Sequence, residues 1–260
     1  AQAKYVHTVS AGYVTGSVFV LAISAWYLLK GRHVEFAKRS MTVAASFGLA
    51  SALSVVVVGD ESGYTAGVNQ KMKIAAIEAM WNTEPAPASF TLFGLPDLAS
   101  HTTRYEIKVP WMLGLIATRS VDTPVPGINQ LVGLAHDRIK DGLVAYDTLL
   151  KIKANRHDMA LRTTLDAHVA NLGYALLLKQ IRPDIQNATE ADIQAAASST
   201  IPDVPVLFWS FRFMVGFGFW FIALFATAFW LSARQRLNRY RWFLQAAFFT
   251  LPLPWLAAEL

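Results

Sequence analysis

Residues 41–58 read MTVAASFGLASALSVVVV, eighteen positions without a charge, and break at once into Gly59, Asp60 and Glu61. A hydrocarbon core of about 30 Å needs roughly 20 mostly apolar residues in a helix. No other feature constrains the chain as much, because a spanning segment must satisfy all its backbone polar groups within itself. Three more segments have the same character: Val6–Leu29, Val206–Leu231 and Trp242–Leu260. The second span is rich in Ala, Ser and Gly, which let helices approach closely. The fourth is interrupted by Pro252 and Pro254, whose freed backbone groups a neighbouring helix must satisfy.

The expected fold is all-α and integral to the membrane. It has four transmembrane helices and a large extracytoplasmic loop domain between the second and third. The expected divisions are 1–58, 59–205 and 206–260. Composition agrees: 54% of residues are hydrophobic and 16% charged, with a mean hydropathy of +0.34. A soluble domain carries about 25% charged residues. The net charge of +5 is no nucleic-acid signature, because the basic residues gather at span ends. Lys30, Arg32, Lys38 and Arg39 face one acid, Glu35, between the first two spans; Arg234, Arg236, Arg239 and Arg241 face none between the last two. Short Lys/Arg-rich links belong on the cytoplasmic side. Segment 59–205 then lies outside, and it holds 13 Lys/Arg against 16 Asp/Glu. With no cysteine, thiolate ligands and disulfides are excluded. The chain lacks an initiator Met and a basic leader, and it stops inside an apolar run, so it reads as a fragment of a longer protein.

Within the outer segment, Asn69–Trp81 reads as a short helix with Ile74, Ile77 and Trp81 on one face. Thr83–Thr123, punctuated by Pro85, Pro87, Pro96 and Pro110, reads as an irregular run over the membrane surface. Ile128–Ala154 and Asn155–Gln180 both have helical apolar spacing and are expected to pair as an antiparallel hairpin. Thr189 followed by Asp192 resembles the N-cap of a short helix ending near Ser199.

Few residues stand out for chemistry. His33, His101, His136, His157 and His168 fall in polar segments, where a solvated surface is the ordinary reading. His7 enters the first apolar span, where an ionisable group is costly and a functional candidate. The ordinary alternative is an interfacial histidine bonded to a carbonyl or headgroup. Met214 lies on the same side of the bilayer in the third span, and imidazole with thioether is an axial pair for haem iron. A lone Met in an aromatic span is otherwise packing. Arg212 either snorkels to a headgroup or faces a haem propionate. It stands about 200° from Met214 around a regular helix. Lys73 and Glu78 are about 140° apart, so spacing alone makes them solvated surface charges. Asp60 and Glu61 read as proton acceptors or as markers of the membrane boundary.

The run GDESGYTAGVNQKMKIAAIEAMWNTEPAPASFTLFG resembles the quinol-binding loop of the cytochrome bd ubiquinol oxidase subunit I family. So, in order, do VHTVSAGYVTG, LAISAWYLLKGR, ATRSVDTPVPG, FRFMVGFG and LPLPWLAAE, and the long outer segment is similar to the long-loop subclass. The resemblance implies that His7 and Met214 are axial ligands of a low-spin haem b, with Arg212 helping to hold its reduced form. It also implies that Lys73 and Glu78 act in quinol oxidation, reversing the reading from spacing.

It further implies a complex in the bacterial inner membrane, with residues 59–205 on the periplasmic side. That complex oxidises ubiquinol or menaquinol and reduces oxygen to water. Its partners are a subunit II, a small accessory subunit and the lipid bilayer, with no nucleic acid. The family's high-spin haem b and haem d have ligands in N-terminal helices and in a GRQPW-type region, neither present in this stretch. Glu259 matches a different position and is no haem ligand. Two alternatives stand beside this reading: a b-type haem anchor of a quinone-reducing dehydrogenase, and a non-haem scaffold with an extracytoplasmic binding loop.

Overall fold

A computed structural model describes residues Gln2–Glu259. Ala1 and Leu260, the outer limits of the first and last expected segments, lie outside the described residues. The chain divides into two compact units, one formed by Ala1–Gly67 with Trp209–Leu260 and the other by Val68–Phe208.

The first unit is helical. Helix α1 is Gln2–Lys30 and α2 is Val34–Asn69. At 1.5 Å per residue they are about 44 and 54 Å long, more than a 30 Å core requires. The apolar run from Met41 therefore does not end its helix at Val58: α2 continues through Gly59, Asp60 and Glu61. Serine and threonine hydroxyls along both helices turn back to carbonyls four residues earlier, as Thr15 does to Ala11 and Ser51 to Phe47. This satisfies polar groups without drawing on lipid.

In the second unit, α3 is Lys71–Ile77. Strands β1 (Phe90–Asp97) and β2 (Thr102–Val109) form an antiparallel hairpin, with Phe90 opposite Val109 and Asp97 opposite Thr102. This corrects the expectation of a purely helical chain with an irregular 83–123 segment. In a two-stranded ribbon both strands are edges, so Pro96 is tolerated within β1. Asp97 closes the turn by accepting the backbone N–H groups of Ala99 (3.0 Å) and Ser100 (3.3 Å) and pairing with Arg104 at 2.7 Å. Helix α4 is Met112–Thr118.

Helix α5, Ile128–Ala154, is the spine of this unit. Its buried stripe of Ile128, Val132, Ala135, Ile139, Gly142, Ala145 and Thr148 keeps to one face. Helix α6 (Met159–His168) and the four-residue α7 (Leu172–Ala175) pack on it. Asn155–Gln180 is thus not one helix: three-residue and five-residue 3₁₀ turns flank α7. Helix α8, Glu190–Ser198, starts with the expected box, in which Thr189 Oγ1 accepts from the Asp192 N–H and the Asp192 carboxylate accepts from the Thr189 N–H.

Helix α9, Val204–Ala233, returns the chain to the first unit. Beyond it, the fourth apolar run folds as two short helices, α10 (Arg241–Phe249) and α11 (Leu253–Glu259). Pro252 lacks an N–H to continue the ladder, and Pro254 sits in the first turn of α11, where that lack is harmless. Trp220 Nε1 donates to Thr250 Oγ1 at the break (3.0 Å). Among the described residues three helices, α1, α2 and α9, are long and apolar enough to cross a membrane. The core of this unit joins Leu21 and Ala25 of α1, Met41 and Ala45 of α2, Phe225 and Ala228 of α9, and Leu244 of α10. Thr42 and Ser232 share a 2.6 Å hydrogen bond beside it.

Candidate functional site

The sequence candidates fall in two places, one in each unit. In the first unit His7 lies in the second turn of α1. Its imidazole is partly buried, and Nδ1 is fully enclosed with no hydrogen-bond partner among the described residues. An enclosed polar atom without a partner costs about 1–3 kcal/mol. The ring lies beside Gly59 of α2, where a Cβ would stand 3.3 Å from Cε1 and 3.6 Å from Nδ1. His7 therefore sits level with the end of the uncharged run, one residue before Asp60.

Arg212 and Met214 lie on α9, which is regular α-helix through both positions. Their side chains leave the helix about 200° apart, so the irregular entry that would let both face one group is not there. Both are partly buried. His7 and Met214 supply the donor types of a low-spin haem, a neutral imidazole and a thioether. With Nδ1 turned against Gly59 of α2, Nε2 is the imidazole nitrogen that would ligate.

In the second unit Glu78 caps the C-terminus of α3 and is only 2% exposed. The Thr91 N–H of β1 donates to its Oε2 at 2.9 Å. The next residue, Ala79, takes a left-handed conformation (φ 48°) and turns the chain sharply, and the Thr103 hydroxyl holds its carbonyl at 2.8 Å. This fold-back of the hairpin onto the helix end encloses Glu78. Lys73, earlier on α3, is exposed and lies outside the group that surrounds Glu78. The two residues that the family resemblance pairs thus differ in surroundings, Lys73 exposed on α3 and Glu78 buried at its end.

Glu78 lines a cleft of about 280 Å³ together with Trp81, Glu84, Thr91, His101 and Lys108. The Trp81 and His101 rings stack nearly parallel, 8° apart with centroids at 4.6 Å. Trp81 Nε1 is enclosed, with no acceptor among the described residues. Lys108 bonds to Glu84 at 3.1 Å and lies 3.5 Å from Glu106. Burial works against its charge, but the Glu84 hydrogen bond and the attraction of Glu106 and Glu84 prevail, so its pKa is raised and it stays cationic. Sequence reasoning passed over His101, Glu84 and Lys108 as site residues. The strand register sets Lys108 opposite Thr91, and Glu84 is held by a separate bridge to Val125.

Several of the other histidines have partners, though His33 stays exposed. His136 Nε2 meets Glu190 at 2.8 Å, His168 Nδ1 meets Asp141 at 2.6 Å, and His33 packs edge-on against Tyr27. His157 is exposed, as expected.

Comparison with known proteins places the chain in a family. The family model for cytochrome bd terminal oxidase subunit I matches residues 1–260. The chain is 39% identical over 259 residues to the cytochrome bd-II ubiquinol oxidase subunit 1 of Escherichia coli K12, covering 100% of this chain and 50% of that protein. It is 26% identical over 254 residues to the cytochrome bd ubiquinol oxidase subunit 1 of Bacillus subtilis 168, covering 98% of this chain and 42% of that one. The chain thus spans about half the length of the curated relatives it matches. The solved structure of bd oxidase from Geobacillus thermodenitrificans superposes with a TM-score of 0.63 at 18% identity, covering 99% of this chain and 44% of that one, which shows a shared fold. The match along its whole length makes this membrane protein a member of the cytochrome bd terminal oxidase subunit I family.

Proposed function

We propose that this chain is the quinol-oxidising, low-spin-haem-carrying part of a cytochrome bd-type oxidase, with the loop unit as its quinol-binding part. The buried Glu78 carboxylate in a polar cleft carries the proposal. A carboxylate enclosed at a helix end, beside an aromatic stack and a cation, can take a proton from a hydroxyl-bearing ring. The relatives in Escherichia coli and Bacillus subtilis are named ubiquinol oxidases, which favours a quinol here.

Quinol loses two protons and two electrons to become quinone. Glu78 accepts a hydroxyl proton, a contribution of about 10²–10⁴-fold for general base catalysis. The enclosed Trp81 N–H offers a donor to the oxygen left behind. Lys108 supplies positive charge within the cleft as negative charge develops, and Lys73 supplies it from the surface of α3. His7 and Met214 would hold a low-spin haem b, which would supply one-electron acceptance, and the thioether would favour its reduced state. Arg212, on the far side of α9 from Met214, favours that reduced state through its charge rather than as a ligand.

In the complete oxidase a high-spin haem b and a haem d would supply the chemistry that reduces oxygen to water, with subunit II and a small accessory subunit as partners. The basic links at 30–39 and 234–241 favour placing residues 59–205 on the periplasmic side of the inner membrane, so that protons are released outward into the gradient. A fourth crossing would be made by α10 and α11 in succession.

The test is Glu78→Gln in the assembled oxidase. Glutamine can still accept the Thr91 N–H but takes no proton. Quinol-driven oxygen uptake is expected to fall by about 10²-fold or more, with haem content and spectrum unchanged. Uptake at the parental rate would overturn the proposal.

A further inference from the structure

On the reading that His7 ligates the haem, we propose that Gly59 is a positioning residue that sets the angle and reach of the His7 imidazole. Gly59 lies inside α2, a continuous helix from Val34 to Asn69. Glycine is unfavourable in a helix interior relative to alanine, so its place there calls for a compensating contact. The structure supplies one: a Cβ at residue 59 would lie 3.3 Å from His7 Cε1 and 3.6 Å from Nδ1, with no third atom within 4 Å. The methyl group that glycine lacks would therefore press on one side chain only.

Other glycines of this unit behave differently. Gly12, Gly16, Gly216 and Gly218 have open space at the Cβ position, and Gly48 meets the ring of Phe225. Gly59, unlike these, faces a histidine ring. The Nδ1–Cε1 edge is closed off against α2, and Nδ1 has no other partner among the described residues. Nε2, beyond 4 Å of the Cβ position, is the nitrogen left to face a ligand. The spacing at Gly59 thus decides two properties of the ligand, which nitrogen it presents and how far the ring can advance. An alanine would move the imidazole by a few tenths of an ångström, enough to change the ligand field without removing the ligand.

Four variants of the assembled oxidase test this, read by low-temperature EPR of the low-spin haem and by its midpoint potential. Gly59→Ala is expected to keep the haem but shift both the low-spin g-values and the potential. Gly16→Ala, with open space on α1, is expected to shift neither. His7→Gly with added imidazole is expected to recover a low-spin signal, and adding Gly59→Ala in that background is expected to change nothing, because a free ring can move aside. If Gly59→Ala alone does not assemble, the double variant with imidazole is expected to do so. Gly59→Ala signals superimposable on the parent, or an equal defect with and without the His7 side chain, would overturn the role of Gly59. Loss of His7 with no change in the low-spin signal would instead overturn the ligand reading itself, so the two failures are distinct.

Discussion

Thr91 on the first strand of the hairpin donates its backbone N–H to Oε2 of Glu78, thirteen residues earlier, at 2.9 Å. The bond ties the end of α3 to β1 and fixes where the carboxylate stands in its cleft. Position should then matter as well as charge. Glu78→Asp keeps the charge but shortens the arm by one methylene and cannot hold the same place. Misplacing a catalytic group by about 1 Å can cost 10²-fold. The expected result is a fall of that order in the turnover of quinol with little change in KM, measured as oxygen uptake against quinol concentration. Parental turnover would show that the Thr91 bond has no catalytic consequence.

The capping box at Thr189 gives a second prediction. Thr189→Ala removes the hydroxyl that accepts the Asp192 N–H at 3.3 Å and that donates to the Asp192 carboxylate at 2.8 Å. Losing such a cap costs about 1 kcal/mol. Hydrogen exchange at the amides of α8 should quicken by about fivefold, the equivalent of that free energy, while the amides of α1 stay unchanged. Unaltered exchange in α8 would contradict the role given to the box.

Much of this loop was legible in the sequence, and the reasons differ by element. The limits of α5 are those read from its apolar stripe between Gly127 and Asn155, because one long amphipathic period leaves little choice of face. The Thr189 box was readable because both partners lie within four residues. The hairpin was not, because its prolines mimic loop punctuation and its pairing joins residues up to nineteen apart, from Phe90 to Val109. The reach of α2 past Val58 was hidden too: Gly59 and the following acids look like a helix end, yet the helix runs on to Asn69. For the site, depth made His7 and Met214 compatible candidates, and their pairing as ligands rests on the family resemblance. The enclosure of Glu78 and the arrival of Lys108 beside it depend on how the hairpin folds back, which no local pattern encodes.

Acid should loosen the loop unit. Hydrogen bonds from Ser100 and Ala99, with the charge of Arg104, hold the Asp97 carboxyl below its ordinary range. Asn171 and His168 do the same for Asp141, Lys140 and His136 for Glu190, and Thr189 and Arg182 for Asp192. A carboxyl whose pKa is depressed on folding contributes stability that is full above its unfolded value, about 4, and lost as pH falls through the lower folded value. Protease resistance of residues 68–208 should therefore be flat from pH 7 to about 5 and decline below about 4. Equal resistance throughout would mean these contacts do not stabilise the unit.

In the membrane unit α2 packs against α9 at Gly48, where a Cβ would run into the ring of the fully buried Phe225. Overpacking of this kind costs about 1–3 kcal/mol. Gly48→Ala should lower the thermal stability of the detergent-solubilised protein, and Phe225→Leu in the same chain should restore part of the loss. An additive double variant would show that the two residues do not meet.

The central claim is that His7 and Met214 hold a low-spin haem fed by quinol. Its most direct test is the reduced-minus-oxidised spectrum of the assembled oxidase carrying Met214→Leu. Leucine keeps the volume and apolar character of the site but offers no sulfur. The account predicts loss of the low-spin haem b band with quinol-analogue binding retained. A spectrum identical to the parent's would contradict it.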